Sequence, residues 1–293
     1  MRLYSVLKGL RYAAGGLVIG LGIALLVGGA AQAAGDAKTA AKYPHKQHWH
    51  FNGPFGTFDA LAVQRGFQVY KEVCASCHSM DLLSYRNLGQ KGGPFYLDYC
   101  PEELGLPDTV DCSNPNDNPI VKAIAAEYMV VDGPDEFGDM FERPGEPKDR
   151  FVSPYANENA ARAVNNGAYP PDMSVLTKAR KSGPDYIYAL LTHYEEAPQG
   201  FKVPPGQYYN PYYEGHLLSM AAPLSDGIVD YEDESVPETT SQYAKDVVEF
   251  LHWSAEPKLE VRKRLGFMVI TYLILFAAVL YWSYRKVWAD IEH

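Results

Sequence analysis

Residues 74–78 read Cys-Ala-Ser-Cys-His, and they hold two of the four cysteines in this 293-residue chain. This pentapeptide constrains the fold more than any other stretch. Two thiols at i and i+3 lie on one side of a helical turn, and the following histidine can reach a metal held between them and the protein. Cys-x-x-Cys-His is the c-type haem attachment pattern, in which each thiol adds to a haem vinyl group and the histidine binds iron. Two other readings fit less well. A thioredoxin-like pair opens a helix after a strand, whereas here a helical pattern precedes the motif. A structural zinc needs a second ligand pair, and Cys100 and Cys112 lack its spacing.

The two ends of the chain place it at a membrane. Residues 1–33 carry Arg2, Lys8 and Arg11, then an apolar glycine-rich run, then Ala31-Gln32-Ala33, which reads as a cleaved signal peptide. Leu265 to Tyr284 is uncharged and is flanked by Arg262, Lys263 and Arg264 before and Arg285 and Lys286 after. Such a run spans a bilayer, and Trp282, Tyr284 and Trp288 suit the headgroup level at its far end. Charge counting alone would put the N-terminal side of this span in the cytoplasm. The leader outweighs it, because long domains are translocated largely regardless of flanking charge. The expected organisation is a signal peptide at 1–33, an exported domain at 34–257, and an anchor with a short cytoplasmic tail at 258–293.

The chain carries a formal charge of −10, and both ends are net basic, so the exported part is more acidic still. That sign argues against nucleic acid and favours basic partners through long-range attraction. Acidic runs stand at Asp132 to Glu146 and Asp230 to Glu238, and the second is the favoured docking candidate.

From Asp59 the pattern turns helical and puts Gly66, Phe67, Tyr70 and Cys74 on one face. A second helix spans Thr239 to Ala255 with Tyr243, Val247, Phe250, Leu251 and Ser254 on one face, opens on a Thr239-x-x-Gln242 capping box and stops before Pro257. Shorter helices are expected at 119–130, 157–164 and 185–194. Residues 36–57, 89–118, 132–150 and 199–226 read as irregular, with turns at Gly133-Pro134 and Pro144-Gly145. So much loop in a compact domain calls for a large buried cofactor to organise it. In an oxidising compartment Cys100 and Cys112 are a disulfide candidate, contributing about 3 kcal/mol by the chain-entropy estimate.

A His-ligated haem iron needs a sixth ligand or stays open. Met80 is only two residues from His78 and cannot reach the opposite haem face. Met173 and Met220 both lie in proline-stiffened loops, and residue physics alone leaves both open. His193, His216 and His252 are weaker candidates.

Beyond these motifs, VCASCHSMDLLSYRNL, VVDGPDEFGDMFERPG, NNGAYPPDMSVLTKARKSGPDYIYALLTHY, YYNPYYEGHLLSMAAPL and SQYAKDVVEFLHWSAEP occur in this order, followed by the basic cluster and apolar helix. From about His50 onward the chain resembles the cytochrome c1 family, the haem subunit of the cytochrome bc1 complex. The resemblance implies a mainly α, cytochrome c-like haem domain with long loops and one C-terminal transmembrane helix. It implies one covalent haem c anchored at Cys74 and Cys77, with His78 and Met220 as axial ligands. It places Arg180 and Tyr186 near the haem propionates and Asn165 and Pro171 along the pocket. A planar guanidinium fork suits a propionate, which gives Arg180 a physical reason for that role. The implied partners are cytochrome b, the Rieske iron–sulfur protein, a soluble or tethered c-type cytochrome and membrane lipid, in a dimeric complex. The implied location is a bacterial inner membrane with the haem domain in the periplasm. The Cys100 to Cys112 loop departs from the family pattern as a bacterial elaboration.

Overall fold

A glycine sets the spacing of the two helices that carry the core. In the computed structural model, which describes residues 40–107 and 109–290, α1 spans Ala60–Val69 and α5 spans Thr240–Ala255. The expected signal peptide lies outside the described residues. Where α1 crosses α5, a Cβ on Gly66 would stand 1.9 Å from the Asp246 carbonyl oxygen. Only hydrogen fits there, so the helices approach closely and the rings of Phe67 and Phe250 pack edge to face at 5.6 Å. Beside the crossing, Arg65 grips buried Asp246 with two hydrogen bonds of 2.9 and 3.0 Å, and the Tyr231 hydroxyl donates to the same carboxylate at 2.9 Å. With the Gln242 amide, four donors satisfy a charge that would otherwise be costly to bury.

Both helices begin as their sequences dictate. Asp59 caps α1 by accepting the N–H groups of Leu61 and Ala62, satisfying donors that have no partner within the helix. Thr239 caps α5 through the Gln242 N–H, but the capping box is one-sided, because the Gln242 side chain turns instead to Asp246 at 3.1 Å. The acid inside the crossing competes for that amide. The expected apolar face of α5 is buried throughout, at Tyr243, Val247, Phe250, Leu251 and Ser254.

The remaining elements frame this pair. Helix α2 (Pro119–Ala126) is capped by Asn118, and α3 spans Glu158–Val164 and α4 Gly183–Thr192. Strand β1 (Met129–Asp132) pairs antiparallel with β2 (Phe141–Pro144), and β3 (Tyr208–Tyr209) with β4 (Leu217–Leu218). These hairpins correct the expectation that 132–150 and 199–226 are irregular, and they end the 119–130 helix at Ala126. Each strand is too short to show alternation. The arm at 40–57 is irregular but pinned, with Trp49 and Phe51 buried. Asp185 of α4 accepts the Trp49 indole N–H at 2.7 Å and the Gln47 N–H at 3.0 Å. Cys100 and Cys112 form the expected disulfide.

After Pro257 the chain re-enters helix as α6 (Leu259–Val287), whose most apolar window has a mean hydropathy of 2.2 and no burial. It is long and apolar enough to span a membrane. Its first turn is tied to the domain: Glu256 pairs with both Lys178 and Arg262, and Glu260 accepts the Phe58 N–H at 2.9 Å.

Candidate functional site

The cysteine motif leaves α1 through a widened turn. Tyr70–Cys74 is a π-helical turn in which the Ala75 N–H reaches the Tyr70 carbonyl at 2.8 Å. Such turns loosen the helical ladder and often mark functional segments. The His78 N–H returns to the Cys74 carbonyl at 2.9 Å, and the Tyr70 hydroxyl donates to the His78 carbonyl at 3.2 Å. The histidine backbone is thus held from both directions.

The side chain is held as well. His78 Nδ1 lies 2.8 Å from the Pro171 carbonyl oxygen. A carbonyl only accepts, so Nδ1 carries the proton and Nε2 keeps its lone pair. Burial lowers the affinity of this imidazole for a second proton, with the Pro171 bond acting the other way. The loop bearing Pro171 is fixed against the motif by Asp172, whose carboxylate accepts the Ser79 hydroxyl at 3.0 Å, the Asp81 N–H at 2.7 Å and the Ser174 N–H at 2.9 Å.

The same loop places Met173. Its N–H donates to the Ser79 carbonyl at 2.9 Å and the residue is buried in the core. This bond sets the Met173 backbone beside Ser79, the residue after His78. Met80 is fully buried in the same core.

Met220 is organised from the other side by α4. The Tyr194 hydroxyl, just past that helix, donates to the Met220 carbonyl at 3.1 Å. Fully buried Asn210 donates to the Leu190 carbonyl at 2.9 Å, and its own N–H meets the His216 carbonyl at 2.9 Å. These bonds dock the β3–β4 hairpin, and Met220 two residues beyond it, onto the C-terminal end of α4. Burial raises the Tyr186 phenol, with the Arg180 cation acting in the opposite sense, and burial raises Tyr194, to which Tyr186 adds. Arg180, Tyr186, Tyr194 and Met220 therefore form one neighbourhood, while Cys74, Cys77, His78 and Pro171 form another. Among the described hydrogen bonds and ring contacts, none joins the two groups directly.

Asn165 ends α3, where its amide donates to the Tyr155 hydroxyl at 3.0 Å and the Ala161 carbonyl at 2.7 Å. Tyr155 lines a cavity of about 300 Å³ that also touches Cys77, Ser79, Tyr169 and Pro170. His193 packs on Tyr212 and His252 is stacked on Phe51 at 4.0 Å, so both act as packing groups. Among the described residues, Nδ1 of buried His216 is the one buried side-chain polar atom without a hydrogen-bond partner.

Sequence reasoning did not single out Asp172, Tyr194 or Asn210. For Asp172 a signal existed, since Asp followed two residues later by Ser is an Asx-turn pattern. Tyr194 and Asn210 act through long-range backbone contacts that leave no local signature.

The chain's relatives decide which protein class this arrangement serves. Residues 49–291 match the description Cytochrome C1 family. The chain belongs to the cytochrome c1 family. It is similar to the cytochrome c1 of Rhodospirillum rubrum, at 39% identity covering 94% of this chain and 97% of that one. It is 42% identical to the mitochondrial cytochrome c1 haem protein of Schizosaccharomyces pombe, covering 90% of this chain and 78% of the other. It is 46% identical to a protein of Bradyrhizobium diazoefficiens named cytochrome b/c1 over 87% of its own length, yet spans only 37% of that protein. Membership supports a haem electron-transfer subunit of a bc1 complex and implies haem c as the cofactor.

The residues present fit that group. Cys74 and Cys77 are not bonded to each other or to another cysteine, and His78 keeps the Nε2 lone pair that an iron would need. Although part of Cys74 stays exposed, desolvation pushes its thiol up to about 12, the reverse of the lowered thiol expected in a redox pair. Among the described residues no three His, Cys, Asp or Glu side chains gather to hold a metal ion, so the zinc reading finds no donor set.

Proposed function

We propose that this chain is the haem subunit that receives one electron from a Rieske iron–sulfur protein and passes it to a c-type cytochrome, within a membrane complex built around cytochrome b. The observation that carries this reading is the His78–Pro171 hydrogen bond beside two unpaired cysteines, because it supplies an oriented, neutral imidazole where thioether anchors stand. Bound haem supplies the one-electron couple. The protein's own residues do the rest.

Cys74 and Cys77 are assigned as the thioether anchors and His78 as the proximal ligand. Met220 is assigned as the distal ligand, supported by the anchoring of its backbone to α4, while the Met173 backbone is paired with Ser79 beside His78. A thioether opposite imidazole raises the potential relative to a second histidine. Arg180 and Tyr186 are assigned to the propionates, the guanidinium offering a fork of donors to a carboxylate. Asn165 and Pro171 shape the pocket wall, Pro171 also through its carbonyl. The haem domain lies on the periplasmic side of a bacterial inner membrane after removal of the leader, with the C-terminus in the cytoplasm, and the complex is a dimer.

The test is the optical spectrum and potential of Met220→Leu in the haem-loaded chain. Loss of the weak far-red sulfur-to-iron band with a large fall in potential is expected; an unchanged spectrum returns the assignment to Met173. Carbon monoxide binding by the unaltered reduced protein would instead favour a haem enzyme or gas sensor with an open sixth position.

A further inference from the structure

We propose that the turn at residues 51–56 is a second membrane contact, with Phe55 at its tip seated in the interfacial layer of the bilayer beside α6. Phe55 is 74% exposed, yet the turn that presents it is fixed from several sides. The Asn52 N–H meets the Trp49 carbonyl and the Thr57 N–H the His50 carbonyl, both at 3.1 Å. Phe51, at its base, is buried and packs on Trp49 and His252. Gly56 closes the turn so tightly that a Cβ there would meet the Asn52 carbonyl oxygen at 2.0 Å. A rigid turn that spends these contacts on displaying a phenylalanine to its surroundings needs an apolar medium for the ring.

The direction of the turn identifies that medium. Lys263 of α6 donates to the carbonyls of Phe51 and Gly56 at 2.5 and 3.0 Å, gripping the base. The Phe55 ring meets Phe267, edge to face at 5.6 Å. Four residues of helix separate these two contacts, about 6 Å along the axis. The turn therefore runs down α6 from its basic collar, Arg262 to Arg264, into the first turn of the uncharged run that starts at Leu265. Basic side chains mark the headgroup level and aromatic rings favour the boundary just beneath it. Phe55 is at the depth of Phe267, so a bilayer that accommodates the one accommodates the other. Lipid is thus the occupant the geometry favours over a protein surface, since the apolar span is continuous with the tip.

The test uses the full haem-loaded chain in vesicles of phosphatidylcholine and phosphatidylglycerol, with a nitroxide on Phe55→Cys, Phe267→Cys or Tyr99→Cys, and the parent chain as labelling background. Collisions with oxygen and with a water-soluble nickel chelate are compared by power saturation. The expected oxygen-to-nickel ratio at position 55 matches position 267 and exceeds position 99 by roughly fivefold, as for a ring below the headgroups. A ratio at 55 equal to that at 99 overturns the proposal, as does a ratio at 267 that shows no lipid. Shielding of position 55 from both reagents also overturns it, because protein would then cover the tip.

Discussion

The carboxylate of Asp172 accepts the hydroxyl of Ser79 at 3.0 Å, across 93 residues of chain. Through this contact the loop carrying Pro171 is aligned with the segment carrying His78. The Asp81 and Ser174 N–H groups complete the carboxylate's partners.

Asp172→Ala removes three hydrogen bonds to a charged acceptor and leaves two backbone donors without it. The expected loss of stability is about 2 to 4 kcal/mol, read by denaturant unfolding. Loosening of the Pro171 loop is expected to appear separately as a shifted haem spectrum. A variant as stable as the parent with an unshifted spectrum would refute the positioning role.

Tyr194→Phe deletes one hydroxyl that donates to the Met220 carbonyl at 3.1 Å. Stability should fall by about 1 kcal/mol. If Tyr194 holds the ligand loop, the methionine band should also fade on warming at a lower temperature than in the parent. Tyr186→Phe serves as the comparison, because that phenol is assigned to the propionates rather than to the Met220 loop.

Gly66→Ala tests the helix crossing. The added Cβ meets backbone at 1.9 Å, which α5 cannot yield without separating from α1. Overpacking of this kind is expected to cost about 3 kcal/mol or more, seen as a lowered thermal midpoint. Ala60→Gly, at an exposed position of α1, provides a control for glycine and alanine propensity.

Glu249 gives the chain a pH dependence. It is buried in α5 and accepts the Asp59 N–H at 3.4 Å, and desolvation pushes its carboxyl up to about 7, with that N–H and Lys245 opposing and the Asp59 and Asp246 charges adding. The folded form therefore holds the proton more tightly than the unfolded chain, whose value is 4.5. The stabilisation is complete below about 4.5 and is lost as pH rises through about 7, to the extent of roughly 3 kcal/mol. Glu249→Gln should flatten the stability profile between these limits and exceed the parent at pH 8. Burial lowers His252 to about 4, which works in the opposite sense over much of this interval, so the check is the difference between the two profiles: a Glu249→Gln profile parallel to the parent's would contradict this assignment.

Local pattern carried the elements whose physics is local. The Cys74 to His78 motif, the helix start at Asp59, the cap at Thr239, the buried face of α5 and the apolar length of α6 each follow from spacing along the chain. The hairpins at 129–144 and 208–218 were not legible, because strands of four and two residues show no usable alternation and owe their pairing to what lies around them. The one-sided cap at Gln242 was hidden for a related reason: its amide prefers an acid, Asp246, whose burial is a property of the α1–α5 crossing.

By itself, then, the sequence determined a Cys-x-x-Cys-His motif, a helical core around Gly66 and a C-terminal helix fit for a bilayer. Tertiary structure decided what no window of residues contains: that Pro171 fixes the His78 tautomer, that the Met173 backbone pairs with Ser79, that α4 docks the Met220 loop through Tyr194 and Asn210, and that Phe55 meets Phe267. Each is a contact between segments tens to hundreds of residues apart. A hydrogen bond or ring contact depends on distance in space, and only the packed chain sets that distance.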